Sequence, residues 1–110
     1  MTKAAAPPWE AKRTEETRRV EEVLKKAGFQ QADAYRYNSA SIRVRVIDPH
    51  FQGKSAQDRD AMVEPLLDQL PEPIQADIMN LLTLYPGETD TSVRARLLNL
   101  EFEDPRPSML

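Results

Sequence analysis

The sequence has no cysteine among its 110 residues. This absence excludes disulfides, thiolate metal sites, thiol nucleophiles and redox-active cysteine pairs within the chain. His50 is the single histidine, and one histidine without cysteine cannot build an ordinary zinc site. We therefore expect neither a metal nor a cofactor. A small domain without disulfides also fits a reducing compartment, so we expect a cytoplasmic location.

Long apolar runs and an excess of positive charge are also missing. No segment approaches the length of a membrane span, and Met1 to Glu10 lacks the apolar core of a signal peptide. The net charge of −3 does not favour a whole-surface grip on nucleic acid, although a local basic patch is compatible with it. With 40% hydrophobic and 30% charged residues, the composition is that of one globular domain that does not enter a membrane.

The clearest structural pattern lies between residues 42 and 70. Apolar residues alternate with arginines in its first part, which predicts a strand whose buried face carries Ile42, Val44 and Val46. A loop follows, in which we expect Gly53 to adopt a positive φ or to allow a close backbone approach. Ser55 is a good N-cap, and helical spacing of apolar residues predicts a helix from there to Leu70. Pro65 lies inside that pattern, so we expect a kink or a break near it.

The other predicted elements surround this segment. We predict a first helix from Thr14, ended by Gly28, and a strand over residues 31–37 that forms a hairpin with the next strand. A short helix or turn from Pro71 comes next. We predict a third strand over residues 77–85, where periodicity alone is also compatible with a helix. A last helix is then marked by three apolar residues, Val93, Leu97 and Leu100.

These elements divide the chain into three parts: a flexible N-terminal arm (1–13), an α+β domain (14–88), and a C-terminal helix with an extended tail (89–110). Trp9 in the arm can either pack back onto the domain or contact a partner. The C-terminal segment can dock on its own domain or offer an extended segment to another chain. We expect docking, because Leu100 and Phe102 would otherwise be exposed.

The face of the second strand opposite the core carries Arg43 and Arg45. We expect this face to be solvated or to bind an anion, because antiparallel sheets commonly leave one face in water. Tyr35 and Tyr37 on the preceding strand can form an aromatic platform beside the arginines, as in proteins that hold single-stranded nucleic acid. They can equally serve ordinary cross-strand packing. The register of the hairpin decides whether the tyrosines and arginines share a face.

Two segments resemble the BolA family. The matching residues are Phe51-x-Gly53-Lys54-Ser55-x3-Arg59-x3-Val63-x2-Leu66 and Leu81-x-Thr83-x2-Pro86-x-Glu88. The resemblance covers roughly residues 16 to 88. It implies a class II KH-like fold of order αββααβ, with a three-stranded mixed sheet, helices packed on one face, and an additional C-terminal helix and tail.

The resemblance implies an adaptor that pairs with a monothiol glutaredoxin around a shared iron–sulfur cluster. Asp60 and Asp77 stand where the family has its usual histidines. Aspartate is a poor substitute for imidazole at an iron–sulfur site, so we expect no cluster here. The KH-like fold also implies nucleic-acid binding, but of the Gly-x-x-Gly clamp of KH modules only Gly53 is present.

Three hypotheses for function follow, and the one with the least support is a small hydrolase that uses His50 and Asp48. The other two assign no catalytic residue. The first is a non-catalytic interaction domain that binds a protein, either a monothiol glutaredoxin or a second copy of the chain. Its predicted surface consists of His50, Phe51, Lys54, Arg59 and Asp77. The alternative is a nucleic-acid-binding module whose contacts come from Arg43, Arg45, Lys54 and Arg59.

Overall fold

Three strands form a mixed sheet in the computed structural model, which describes residues 6–109. The strands are β1 (Gln31–Asn38), β2 (Ser41–Ile47) and β3 (Ile78–Leu84). β1 and β2 form the expected antiparallel hairpin, and β3 lies parallel to β2 on its other side. The α+β class and the mixed three-stranded sheet predicted from the sequence are confirmed.

Helices connect and flank the strands within residues 6–109. The α-helices are α1 (Glu15–Lys26), α2 (Ala56–Leu67), α3 (Glu72–Asp77), α4 (Glu88–Thr91) and α5 (Val93–Glu103). Short 3-10 helices span Pro8–Lys12 and Pro49–Phe51. No helix in this part of the chain is long and apolar enough to cross a bilayer.

The ends of α1 are set by local sequence. Thr14 and Thr17 form a reciprocal capping box at the N-terminus. At the other end Gly28 has a φ of 102°, and the N–H of Phe29 donates to the carbonyl of Leu24. A left-handed glycine followed by this long hydrogen bond is the Schellman motif, so the prediction that Gly28 ends the helix is confirmed.

Helix α2 follows the predicted loop, in which Gly53 has a φ of 80°. The Ser55 hydroxyl caps it by accepting a hydrogen bond from the N–H of Asp58. The helix continues through Pro65 and ends at Leu67, three residues before the predicted end. Proline inside a helix removes one backbone hydrogen bond, at a cost of about 3 kcal/mol that tertiary packing must offset.

The main core lies on the face of the sheet covered by α1 and α2. It joins the branched residues of β2 to apolar side chains of both helices and of the loops, as the alternating pattern predicted. Its fully buried members include Val20, Leu24, Ala34, Ile42, Val44, Val46, Phe51 and Val63.

The opposite face of the sheet is also covered, and the expectation of a solvated face is wrong. Helix α5 and the first 3-10 helix pack on it. Three aromatic residues, which we call the anchor cluster, fill the contact: Trp9, Tyr35 and Phe102. The Tyr35 and Phe102 rings meet edge to face with centroids 4.9 Å apart, and Trp9 lies 5.5 Å from Phe102.

The anchor cluster settles two of the expectations for the chain ends. Trp9 packs back onto the domain, so the described part of the expected flexible arm is an ordered segment from Pro8 onward. The C-terminal helix docks on its own domain through Phe102, as expected. Leu100, the other residue on which that expectation rested, remains 58% exposed.

Candidate interaction surface

Arg45 is withdrawn from solvent by the contact with α5. In the hairpin register Asp33 lies directly opposite Arg45, so both side chains point to the same face of the sheet. The guanidinium donates to the Asp33 carboxylate at 2.7 Å and to the side-chain carbonyl of Asn99 at 2.8 Å, and it pairs with Glu103 at 3.3 Å. Its side chain is only 5% exposed. Arg45 therefore fastens α5 to the sheet and does not present its charge to a nucleic acid.

Arg43 is engaged by its neighbours in a similar way. Its guanidinium stacks on the Tyr37 ring at 3.8 Å and donates to the Tyr35 hydroxyl at 3.2 Å. Its partner on α5 is Glu101, at 3.8 Å. The tyrosines and arginines thus share a face, as an aromatic platform requires, but α5 covers much of that face. Burial of Tyr35 raises the pKa of its hydroxyl, which the Arg43 guanidinium only partly opposes.

Arg59 joins α2 to the end of β3 rather than facing a partner. Its guanidinium donates to the backbone carbonyl of Thr83 at 3.1 Å and to Glu88 at 2.8 Å, while its Nε donates to the carbonyl of Lys54 at 3.0 Å. Each of these acceptors lies within the domain, so Arg59 is a structural residue. Lys54 is therefore the one exposed cation among the four residues predicted to bind nucleic acid, all of which lie in the described part of the chain.

Asp48 organises the loop that carries His50. Its carboxylate accepts hydrogen bonds from the backbone N–H groups of His50 and Gln30, and from Nδ1 of the His50 ring at 2.7 Å. Burial opposes ionisation of Asp48, but these hydrogen bonds outweigh it and hold its pKa below the ordinary value. The His50 side chain is 79% exposed. The histidine–aspartate pair is thus part of a capped turn, and it leaves the His50 ring available at the surface.

The structure does not bring the five predicted partner-binding residues together. Phe51 is fully buried in the main core, where its ring lies against Phe29. Asp77 precedes the start of β3 and pairs with Arg36 at 2.9 Å, whereas His50 follows the end of β2. Because β2 and β3 run parallel, Asp77 and His50 lie at opposite ends of the sheet, roughly 20 Å apart at about 3.3 Å per residue. These five residues therefore do not form one continuous surface in the structure.

A different surface is exposed on α5. Val93, Leu97 and Leu100 are 62%, 60% and 58% exposed, and their spacing places them in line along one side of the helix. We call these three residues the apolar stripe. The other side of the helix carries Ala95 and Phe102, which are buried against the sheet. Helix α5 is thus apolar on both its inner and its outer side.

A groove runs beside the apolar stripe. It has a volume of about 620 Å³, and it lies between α5, the C-terminal tail and the end of β1. Its lining combines the two leucines of the stripe with aromatic and charged side chains: Tyr37, Arg43, Leu97, Leu100, Glu101, Asp104 and Arg106. The exposed side of α5 is therefore convex along the helix and concave where it meets the groove.

Helical spacing identified α5 but not which of its sides contacts the sheet. Val93, Leu97 and Leu100 form the apolar repeat that marks the helix, yet they lie on its exposed side. The actual buried side uses Asn99 to bind Arg45, and a hydrophobic pattern gives a polar contact residue no weight. Arg45 is the residue that points to the contact side of α5. A buried arginine requires polar partners, and the side of α5 that carries Asn99 supplies one.

Comparison with protein-family models, with curated proteins and with solved structures finds no match to this chain.

Proposed function

We propose that this chain is a non-catalytic protein-interaction domain that binds its partner through the apolar stripe. The observation that carries the proposal is the exposure of Val93, Leu97 and Leu100, three large apolar side chains in line on a helix whose inner side is already buried. Single exposed hydrophobic residues are ordinary, but contiguous ones mark interaction sites. The groove beside the stripe provides a concave surface against which the partner can pack.

The resemblance to the BolA family supports the interaction role. The order α1-β1-β2-α2-α3-β3 and the mixed sheet are those expected of a class II KH-like domain. Helix α5 lies outside the segment that carries the resemblance. The proposed binding surface is therefore an addition to the BolA-like part of the chain. A monothiol glutaredoxin as the partner is implied by the resemblance and not by this surface.

The geometry around His50 supports a non-catalytic role. A histidine oriented by a carboxylate is half of a nucleophilic triad, but here the same carboxylate caps the turn that contains the histidine. Turn formation accounts for the contact between Asp48 and His50 without a catalytic task.

A comparative capture experiment tests the proposal. Tagged wild-type chain is compared with a variant carrying Leu97→Asp and Leu100→Asp, and with a Met79→Asp control. Met79 is 68% exposed on β3 and lies outside the stripe, so it matches the exposure of the stripe residues and receives the same type of substitution, with one added charge where the stripe variant has two. The prey are cell extract, a purified monothiol glutaredoxin and an untagged copy of the chain, each scored separately.

The proposal predicts that a captured protein is retained by the wild type and the control but lost from the stripe variant. Equal retention by all three baits would show that α5 is not the binding surface. Circular dichroism of each bait first establishes that the three proteins are equally folded.

A further inference from the structure

Resting on the proposed function, we infer that the occupant of the apolar stripe is a second copy of this chain. Two α5 helices pack against each other antiparallel, related by a twofold axis. Such an interface is isologous, so a single surface must complement itself in both shape and charge. The charges that border the stripe on α5 meet this requirement.

Charged residues of α5 are segregated along its length. Arg94 and Arg96 occupy its first turn, and Glu101 and Glu103 occupy its last. This order opposes the helix dipole, which favours acidic side chains at the N-terminus and basic ones at the C-terminus. The arrangement therefore lowers the stability of the isolated helix. It becomes self-complementary when a second α5 lies antiparallel to the first.

The positions around the helix agree with the positions along it. Residues seven apart differ in direction by about 20°, so Arg94 and Glu101 share one flank of the stripe, and Arg96 and Glu103 share the other. A twofold axis between antiparallel helices brings each flank next to the same flank of the copy. Arg94 thereby faces Glu101 of the second copy, and Arg96 faces Glu103. Both pairs are centred within one residue of the midpoint of the two stripe leucines.

The arginines of α5 are available for these contacts. Arg94 and Arg96 form no ion pair within residues 6–109, in contrast to Arg43 and Arg45. On the acidic side Glu101 is 61% exposed and 3.8 Å from its internal partner, so it can accept a second cation. Glu103 is held more closely by Arg45. The pair formed by Arg94 and Glu101 is therefore the stronger determinant of the contact.

The size of the surface sets the strength of the dimer. An 11-residue helix is about 16 Å long and offers less than the roughly 800 Å² per partner of a standard interface. We expect a transient dimer in the micromolar range, whose dissociation constant rises with salt because its charge pairs lie at the rim.

Sedimentation equilibrium of the full chain tests the inference. Wild type and Met79→Asp are expected to show the same concentration-dependent dimer. Leu97→Asp places a charge in the contact, and its dissociation constant is expected to rise on the order of 100-fold. A wild-type chain that stays monomeric up to millimolar concentration would overturn the inference.

Charge exchange tests the antiparallel pairing. Arg94→Glu alone and Glu101→Lys alone each set like charges against each other and are expected to weaken the dimer by about tenfold. The double variant restores both pairs with reversed sign, so its dissociation constant is expected within about threefold of wild type. Additive weakening in the double variant would rule out the proposed register.

The absence of native cysteine gives an independent test of orientation. In the proposed dimer Val93 lies beside Asp104 of the second copy, while the two Val93 residues are about 16 Å apart. A mixture of Val93→Cys and Asp104→Cys chains should therefore form a mixed disulfide under mild oxidation. Either variant alone should stay uncrosslinked. Efficient crosslinking of Val93→Cys with itself would indicate a parallel contact and contradict the inference.

These outcomes separate the inference from the proposed function. A monomeric chain whose stripe still captures another protein would overturn self-association but keep the interaction role. A monomeric chain with no capture would overturn both. A dimer unaffected by Leu97→Asp would contradict the stripe as the contact while leaving dimerisation itself established.

Discussion

Arg45 attaches helix α5 to the second face of the sheet. The alternating pattern correctly places it opposite the core, and strand periodicity alone could establish that much. The pattern could not show that Asp33 lies across the hairpin, or that Asn99 and Glu103 arrive from a distant helix to satisfy the charge. A polar residue facing away from one core can still be buried under a second layer.

Replacing Arg45 should therefore cost stability. Arg45→Met leaves the Asp33 carboxylate with Arg13 at 3.6 Å as its remaining cation and removes a link to α5. Loss of one partner of a buried pair costs about 3–5 kcal/mol, which urea unfolding can measure. The control Arg18→Met changes an exposed arginine on α1 and should stay within about 0.5 kcal/mol of wild type. Equal stability of the two variants would contradict the anchoring role.

Asp48 supplies a prediction for pH dependence. Because hydrogen bonds hold its folded-state pKa below the unfolded value, its contribution to stability is present above pH 4 or so and is lost as the pH falls through the folded-state pKa. Asp48→Asn should lower the free energy of unfolding at pH 7 by roughly 1–3 kcal/mol. The difference should shrink below about pH 4. A difference that stays constant down to pH 2 would argue against this assignment.

At the scale of elements, the sequence predicted each strand and most helix ends, because their signals are local. Gly28 and Ser55 act through hydrogen bonds to residues nearby in the chain, so their roles could be predicted without tertiary information. The side of α5 that packs on the sheet could not be predicted in this way, because the outer residues of the helix are more apolar than its inner ones. The burial of two predicted site residues could not be predicted either, because Phe51 packs in the core and Arg59 binds the backbone of β3, and both contacts depend on tertiary structure.

Helix α5 should be held to the sheet by Phe102 and not by the apolar stripe. Phe102→Ala empties the space between Tyr35 and Trp9 and should cost about 3–5 kcal/mol. Amide hydrogen exchange along α5 should accelerate with it, since local opening of the helix becomes easier. Leu100→Ala is the matched control on the same helix, and in the monomer it should change stability by about 0.5 kcal/mol or less. A larger effect of Leu100→Ala would mean that the two sides of α5 are reversed.

At the scale of the whole molecule, the domain is a sheet covered on both faces. α1 and α2 cover one face through an apolar core. The other layer is small and combines three aromatic rings with buried ion pairs. The second layer removes the arginines from nucleic-acid binding, because their charges are used to attach α5. The same layer turns an apolar stripe outward, so covering the sheet creates the surface through which we propose that the molecule binds a copy of itself.

The most direct test of this account is a dilution series of ¹⁵N–¹H NMR spectra of the full chain from millimolar to micromolar concentration. The account predicts shifts that follow α5, centred on Leu97 and including Arg94 and Glu101, while Lys54 and the His50 loop stay unchanged. Leu97→Asp should abolish these shifts, and Met79→Asp should preserve them. Spectra that do not change with concentration, or shifts centred on His50 and Lys54, would contradict it.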